Sequence, residues 1–535
     1  MPENPAIVEL ASGDIQAVSS NLSADATFRG QMGHISRQSS FFFLGTVFTA
    51  ATGYVFKVYL ARVLGAAALG IYALGMTVVG LLGVFNAFGL PQSAVRFVAA
   101  YCATGRTEQL RQFLGRGVFL LLLSNLGIAA LLLLAGPWIA VRFYHTPALS
   151  KYFGLFALIM VLGVLATFLG QVLAGYQDVL RRTVITNFIG TPLMMLLTVL
   201  LIMLGWGLRG YIFAQVASAI AICVLFTISV IRSTPAGGGF FSAMFSPLEK
   251  EVASFSALAF AMSLLGFLIA QSDKVLIGFY LNASEVGIYA IASALVAFIP
   301  IFLQSVNQIF SPVIADLHTR QEHAMLGRIF QTLTKWSFGL TLPLAAVMIM
   351  FAPALMRIFG RDFEIGWPVL VIGAIGELVN CGVGSVGYLL LMAGRQRELL
   401  KIQAVMAFVT VILGIVLIRK WGIFGAAVVA ASTNLLSNLW CLCEVRVKLG
   451  LWPYNPTYLR LLPPSAGMVG VLLVEYRFAF AFHSDWILIG AGLVFGYLVF
   501  LGIAIAVGLD SDDSIILRAM WSRTCGRFHL FGAKA

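Results

Sequence analysis

From Ser40 to Gly508 one long apolar window follows another, and no soluble fold can bury that much hydrocarbon surface. A membrane-crossing helix needs roughly 20 apolar residues, and about 14 such windows fit here between short connections. They fall at about 40–61, 69–90, 114–136, 152–175, 184–204, 210–231, 254–281, 286–310, 334–352, 366–392, 400–418, 422–443, 459–475 and 487–508. Charged residues make up 10% of the chain and hydrophobic residues 60%, whereas a soluble domain carries about 25% charge. In lipid the backbone must satisfy its own hydrogen bonds. The expected fold class is therefore all-α: a polytopic membrane protein of about 14 transmembrane helices.

The formal charge is +12. Roughly two thirds of the 34 lysines and arginines fall on one side when the amino terminus is placed inside. This bias predicts both termini in the cytoplasm, and it accounts for the charge without nucleic acid. The six cysteines lie mostly in apolar windows, with too few partners for a zinc site. Residues 1–38 are polar, with no early apolar region of the signal-peptide kind, so the first span is expected to serve as an uncleaved insertion signal.

The chain also repeats itself. FKVYLARVLGAAALGIYAL, from Phe56 to Leu74, fits over Asp273 to Ile291 with a constant shift of 217 positions (70 against 287). Lys57 falls on Lys274, and GIYA on GIYA. LAGYQ (Leu173 to Gln177) resembles MAGRQ (Met392 to Gln396), and WGLRG (Trp206 to Gly210) resembles WGIFG (Trp421 to Gly425). Six windows per copy give both copies one orientation, with the axis relating them along the membrane normal. The expected organisation is a cytoplasmic tail (1–38), an N-terminal six-helix lobe (39–232), a cytoplasmic linker (233–253), a C-terminal six-helix lobe (254–448), an extra helix pair (449–508) and a cytoplasmic tail (509–535).

An ionised side chain inside a bilayer is costly, and where one occurs it faces a partner or a watery cavity. Asp273 and Lys274 stand side by side in the seventh window, with Lys57 at the equivalent depth of the first copy. Thr46, Thr49, Gly53 and Lys57 share one helix face, which lines a cavity unless Lys57 snorkels to the outer headgroups. Arg96 follows Pro91 at the inner mouth of the first copy. A guanidinium there can hold a diphosphate bidentately, or simply anchor the inner face. Asp273 and Lys274 point about 100° apart on a helix, so they are not simply paired with each other. Asp273 is a candidate for a switching ion pair with Lys57, for a protonatable coupling site, or for a static pair.

Gln304 and Gln308 in the eighth window and Glu377 and Asn380 in the tenth form polar stripes, as do Asn434 and Asn438 in the twelfth. Such stripes are cavity lining or interhelical glue. Lining is expected for Glu377, glue for Asn434 and Asn438. Ala315 to Arg328 reads as an amphipathic helix on the cytoplasmic surface. No nucleotide-binding loop occurs, so no cofactor is expected. Energy would come from substrate flux or from an H+ or Na+ gradient acting through Asp273 or Glu377.

ARVLGAAALGIYAL, GLPQSAVRFVA, DKVLIGFYLNASEVGIYA, FSPVIADL and KWGIFGAAVVAA resemble the polysaccharide biosynthesis flippases of the multidrug/oligosaccharidyl-lipid/polysaccharide exporter superfamily. The resemblance covers about residues 36–450. It implies two six-helix bundles forming a V in the cell inner membrane, opening alternately to each side. It also implies a substrate: undecaprenyl-diphosphate-linked oligosaccharide, moved outward for O-antigen, capsule or exopolysaccharide. Cationic cavity residues that hold diphosphate and sugar would here be Lys57, Arg96 and Lys274. The implied partners are that lipid, the surrounding membrane lipids, and a polysaccharide polymerase with its export machinery.

Three alternatives stand beside this reading. A cation-coupled multidrug exporter of the same superfamily predicts a small, apolar and acidic cavity. Lipid II flippases are similar, but their first span is richer in arginine. An integral membrane polymerase or ligase needs a large outside loop, and the longest here, Gly136 to Lys151 and Pro353 to Gly366, are short.

Overall fold

A computed structural model describes residues 52–234, 249–478 and 484–508, and it is helical, with no strand among them. Thr46, Thr49 and the tails 1–38 and 509–535 lie outside the described residues. Eleven of the described helices are long and apolar enough to cross a membrane, twelve if one bent pair counts as a span. By this test the expected fourteen is not reached, and two of the helices show why. Thr52–Ala87 and Gln396–Leu449 have 36 and 54 residues. At 1.5 Å per residue they would run about 54 and 81 Å, far beyond the roughly 30 Å of hydrocarbon. Each contains a glycine at positive φ, Gly65 at 78° and Gly422 at 60°, a conformation that a side chain disfavours. At each of these glycines one apolar window of the sequence gives way to the next.

Other breaks also follow local chemistry. After Ala87 the backbone turns through Phe88 and Gly89, both left-handed, and a new helix, Leu90–Ala103, begins with Pro91 in its first turn. Proline suits that position because its missing N–H has no helical partner there. Ala283–Val296 and Ile301–Thr319 meet at a 53° bend beside Pro300. The stretch from Ala315 to Arg328 is not a separate surface helix. Ile301–Thr319 runs on to its end, the chain turns at Gln321 (φ 61°), and His323–Met350 starts. The amphipathic pattern there belongs to two helix ends that flank a turn.

The chain forms two compact units, which cross the boundaries of the sequence repeat. Among the described residues, one comprises 52–56, 89–126, 161–234 and 249–256; the other comprises 57–88, 127–160, 257–478 and 484–508. In the first unit, Phe97, Tyr101, Phe113 and Phe168 form a ring cluster with centroids 6.0–6.4 Å apart. Gly175, of LAGYQ, lets its helix end rest on Val98 and the Ala94 carbonyl.

The second unit holds the clearest trace of the duplication. A methyl group built on Gly70 would overlap the carbonyl of Ala283, and one on Gly287 would overlap the carbonyl of Ala66. The shift of 217 that carries Gly70 onto Gly287 also carries Ala66 onto Ala283. The contact is thus reciprocal, as a two-fold axis requires, and it rests on small residues four apart that let two backbones touch. Elsewhere in this unit Phe310, Phe330, Leu389, Ile402 and Val445 centre a buried apolar cluster.

The extra pair, Leu462–Arg477 and Asp485–Val507, packs on His323–Met350. Tyr497 donates to the Leu340 carbonyl at 2.8 Å. Arg357 grips Asp485 with two bonds of 2.9 Å and reaches Glu364 at 3.3 Å. Because this fork is partly exposed, a double-mutant cycle over Arg357→Ala and Asp485→Ala is expected to give a coupling of about 0.5–1 kcal/mol in thermal unfolding. Zero coupling would show that the clamp holds nothing.

Candidate functional site

In the second unit three helices bring charges together: Thr52–Ala87 supplies Lys57, Lys250–Tyr280 supplies Gln271, Asp273 and Lys274, and Ala283–Val296 supplies Tyr289. Tyr289, buried at 2% exposure, donates to Asp273 Oδ2 at 2.6 Å. Asp273 Oδ1 accepts the backbone N–H of Lys274 at 2.7 Å. Lys274 Nζ donates to Gln271 Oε1 at 2.7 Å. Asp273 and Lys274 are therefore bonded through different side chains. Lys57 lies within Coulombic reach of Lys274. Among the described residues neither ammonium has a carboxylate ion-pair partner. Ser272, Asp273 and Thr410 line a small cavity between Lys250–Tyr280 and Gln396–Leu449. The buried Ser272 hydroxyl has no partner among the described residues.

Tyr289 was not singled out from the sequence, although the signal was present as the tyrosine of the repeated GIYA. Its counterpart is Tyr72, but position 56, which matches Asp273, holds phenylalanine. The repeat thus preserves the tyrosine, and only the second copy places a carboxylate beside it.

Glu377 accepts from Asn380 Nδ2 at 2.8 Å and from Asn434 Nδ2 at 3.0 Å. Asn438 in turn donates to Asn434 Oδ1 at 2.8 Å. This chain ties Trp367–Val383 to Gln396–Leu449, and Gly376 against Ala431 lets the two helices approach. The asparagines act as glue, and Glu377 is bonded within the same network. Gln304 is exposed, and the Gln308 side chain lies outside the described residues.

In the first unit Arg96 sits on Leu90–Ala103 and forms an ion pair with Glu251 at 3.1 Å. Its guanidinium stacks 4.8 Å from the Phe255 ring and 5.4 Å from that of Phe97. One turn on, Tyr101 donates to Glu249 at 2.8 Å. Burial, then the Glu249 carboxylate, push the Tyr101 phenol above its ordinary pKa, so it stays a neutral donor. Ser93 and Ser256 share a buried 2.6 Å hydrogen bond. Glu249 and Glu251 belong to a stretch the sequence marked only as linker. Nothing local in the sequence distinguishes them from solvated charges.

Comparison with known proteins fits this picture. The family model described as "Polysaccharide biosynthesis protein" matches residues 35–318, more than half of the 535-residue chain. The chain belongs to this family. It is 28% identical over 184 residues to the probable low-salt glycan biosynthesis flippase Agl15 of Haloferax volcanii, and 25% identical over 244 residues to the teichuronic acid biosynthesis protein TuaB of Bacillus subtilis. These matches cover 34% and 43% of this chain, and only 39% and 49% of the two relatives. Among solved structures, the lipid II flippase MurJ in an inward closed conformation superposes with a TM-score of 0.69 at 16% identity, covering 90% of this chain and 99% of that one. An inward-facing multidrug resistance MATE family transporter gives 0.61 at 14% identity, over 75% and 94%. This family member is thus an all-α, multi-pass membrane protein with the fold of the MurJ and MATE transporters.

Proposed function

We propose that the protein is a flippase that carries undecaprenyl-diphosphate-linked oligosaccharide from the cytoplasmic to the outer leaflet of the inner membrane, by alternating access between two six-helix lobes. The observation that carries the reading is the charge inventory of the membrane interior. Lys57 and Lys274 occupy equivalent positions of the repeat, without an ion-paired carboxylate among the described residues. Keeping two like charges in a bilayer is expensive, and an anionic ligand removes the expense. A diphosphate headgroup with its sugars cannot cross hydrocarbon unaided. Cations and amides replace its water, while the polyprenyl tail stays in lipid. The flippase and polysaccharide-synthesis relatives support the same substrate class. Both termini would be cytoplasmic, and any H+ or Na+ coupling would act through Asp273 or Glu377. The flipped lipid would be handed to a polymerase and its export machinery. No bond chemistry is required of this chain.

The test is reconstitution into proteoliposomes with a labelled lipid-linked oligosaccharide, beside a deletion strain. The expected results are protein-dependent flipping and accumulation of the lipid-linked intermediate on the cytoplasmic leaflet. Transport of organic cations without flipping, with normal surface polysaccharide in the deletion strain, would instead support a drug exporter.

A further inference from the structure

Helix Leu90–Ala103 turns one face, Ser93, Arg96, Phe97 and Tyr101, toward the start of Lys250–Tyr280. The contacts on this face are of two kinds. Ser93 with Ser256, and Phe97 edge-on to Phe255 at 5.9 Å, are packed contacts that hold the helices together. Arg96 with Glu251 and Tyr101 with Glu249 are donors of one helix closed by carboxylates of the other. Arg106 adds a second positive group near Tyr101.

We infer that Arg96 and Tyr101 form a phosphate-capture site that the chain occupies with its own Glu249 and Glu251, which a lipid-borne phosphate or diphosphate displaces on loading. The inference rests on the flippase reading for its ligand. A planar guanidinium fork and a neutral phenol are donors suited to phosphate oxygens. The Arg96–Glu251 side chains are 54% and 68% exposed, and exposed ion pairs of this kind contribute little net stability. A ligand with about two negative charges and three or more free oxygens can outcompete one carboxylate at each donor. Glu251 stands in the first turn of its helix and Glu249 just before it, where an acidic side chain is favoured by the free backbone N–H groups even after its partner leaves. The serine and phenylalanine contacts then keep the donors in place. The site is therefore closed to weak anions and opens for strong ones, which amounts to a selectivity step before transport.

The measurement is binding of inorganic pyrophosphate to the purified full-length protein by calorimetry, in nanodiscs of neutral lipid. E251Q and the double variant E249Q/E251Q are expected to bind about tenfold more tightly than the parent. R96Q should lose binding, and Tyr101→Phe, which removes only the hydroxyl, should weaken it severalfold. Repeating the titration in phosphatidylglycerol nanodiscs separates the sources. Competition assigns an ordinary phospholipid headgroup as occupant, and no competition assigns a diphosphate lipid; both support the site. Unchanged or weaker pyrophosphate binding in E251Q and the double variant overturns the inference, even if the protein flips lipid-linked oligosaccharide normally. Tighter binding in those variants with no flipping of any such lipid keeps the site and removes the flippase reading.

Discussion

Gly287→Val is expected to prevent accumulation of folded protein, and Gly70→Val to do the same. At each position the added Cβ would sit inside a backbone carbonyl of the facing helix, Ala66 for Gly287 and Ala283 for Gly70. A clash with a side-chain tip can be relieved by a rotamer change, but a carbonyl moves only with its helix. Overpacking a core costs about 1–3 kcal/mol where side chains can adjust, and here the whole crossing must shift, so the cost should exceed about 3 kcal/mol. Ala66→Gly should not rescue Gly287→Val, because the obstacle is the Ala66 backbone and not its methyl group. Gly163 is the control, since a Cβ there meets nothing within 4 Å. Gly163→Ala should be neutral or raise stability by about 0.5–1 kcal/mol through helix propensity. Thermal unfolding in detergent with fluorescence-detected chromatography reads all of these. A Gly287→Val protein that is monodisperse with the parent's Tm would refute the close crossing.

The second large effect is expected at the paired ammonium groups. Lys57→Gln and Lys274→Gln should each lower the rate of lipid-linked oligosaccharide flipping in proteoliposomes by about tenfold or more, the scale of losing one charge-assisted hydrogen bond to an anion. Lys→Arg at either position should retain much of the rate. Because neither ammonium has an ion-paired carboxylate among the described residues, each neutral variant should also be at least as stable thermally as the parent. That combination, less transport without less stability, separates a substrate contact from a packing role. If both Gln variants flip at the parent rate at equal reconstitution, the lysines do not hold the headgroup. Asp273→Asn serves as an internal comparison. It keeps an acceptor for Tyr289 while removing the charge, so any loss of gradient dependence with retained downhill flipping assigns coupling to that carboxylate.

Much of this molecule was legible in one dimension. Hydrocarbon burial is a local property, so runs of apolar residues announce helices in lipid without any knowledge of their neighbours. The repeat was equally plain, since a shift of 217 aligns Lys57 with Lys274 and GIYA with GIYA. Turn chemistry at MAGRQ and WGLRG also reads locally, because glycine marks where the backbone goes left-handed, at Gly394 and Gly207, whereas at LAGYQ the left-handed residue is Gln177. The helix around Ala315 to Arg328 misled for a local reason as well. A periodic pattern cannot tell one surface helix from two helix ends that flank a turn at Gln321.

Which groups meet was a matter for tertiary structure alone. Arg96 and Glu251 are 155 positions apart, and Asn434 and Glu377 are 57 apart. A hydrogen bond depends on separation in space and on angle, quantities that composition and period do not carry. From the sequence Arg96 was a diphosphate-holding cation or an anchor at the inner mouth, whereas in the fold it is held by a carboxylate. Asp273 was a candidate partner for Lys57, yet it is bonded to Tyr289, and Lys57 has no ion-paired carboxylate among the described residues. The amino-acid order thus determined a duplicated bundle of membrane helices with lysines at matching positions of the two copies. Only the packed chain decided the partners of those charges, because electrostatic pairing is set by through-space distance and helices far apart in sequence must cross before it exists.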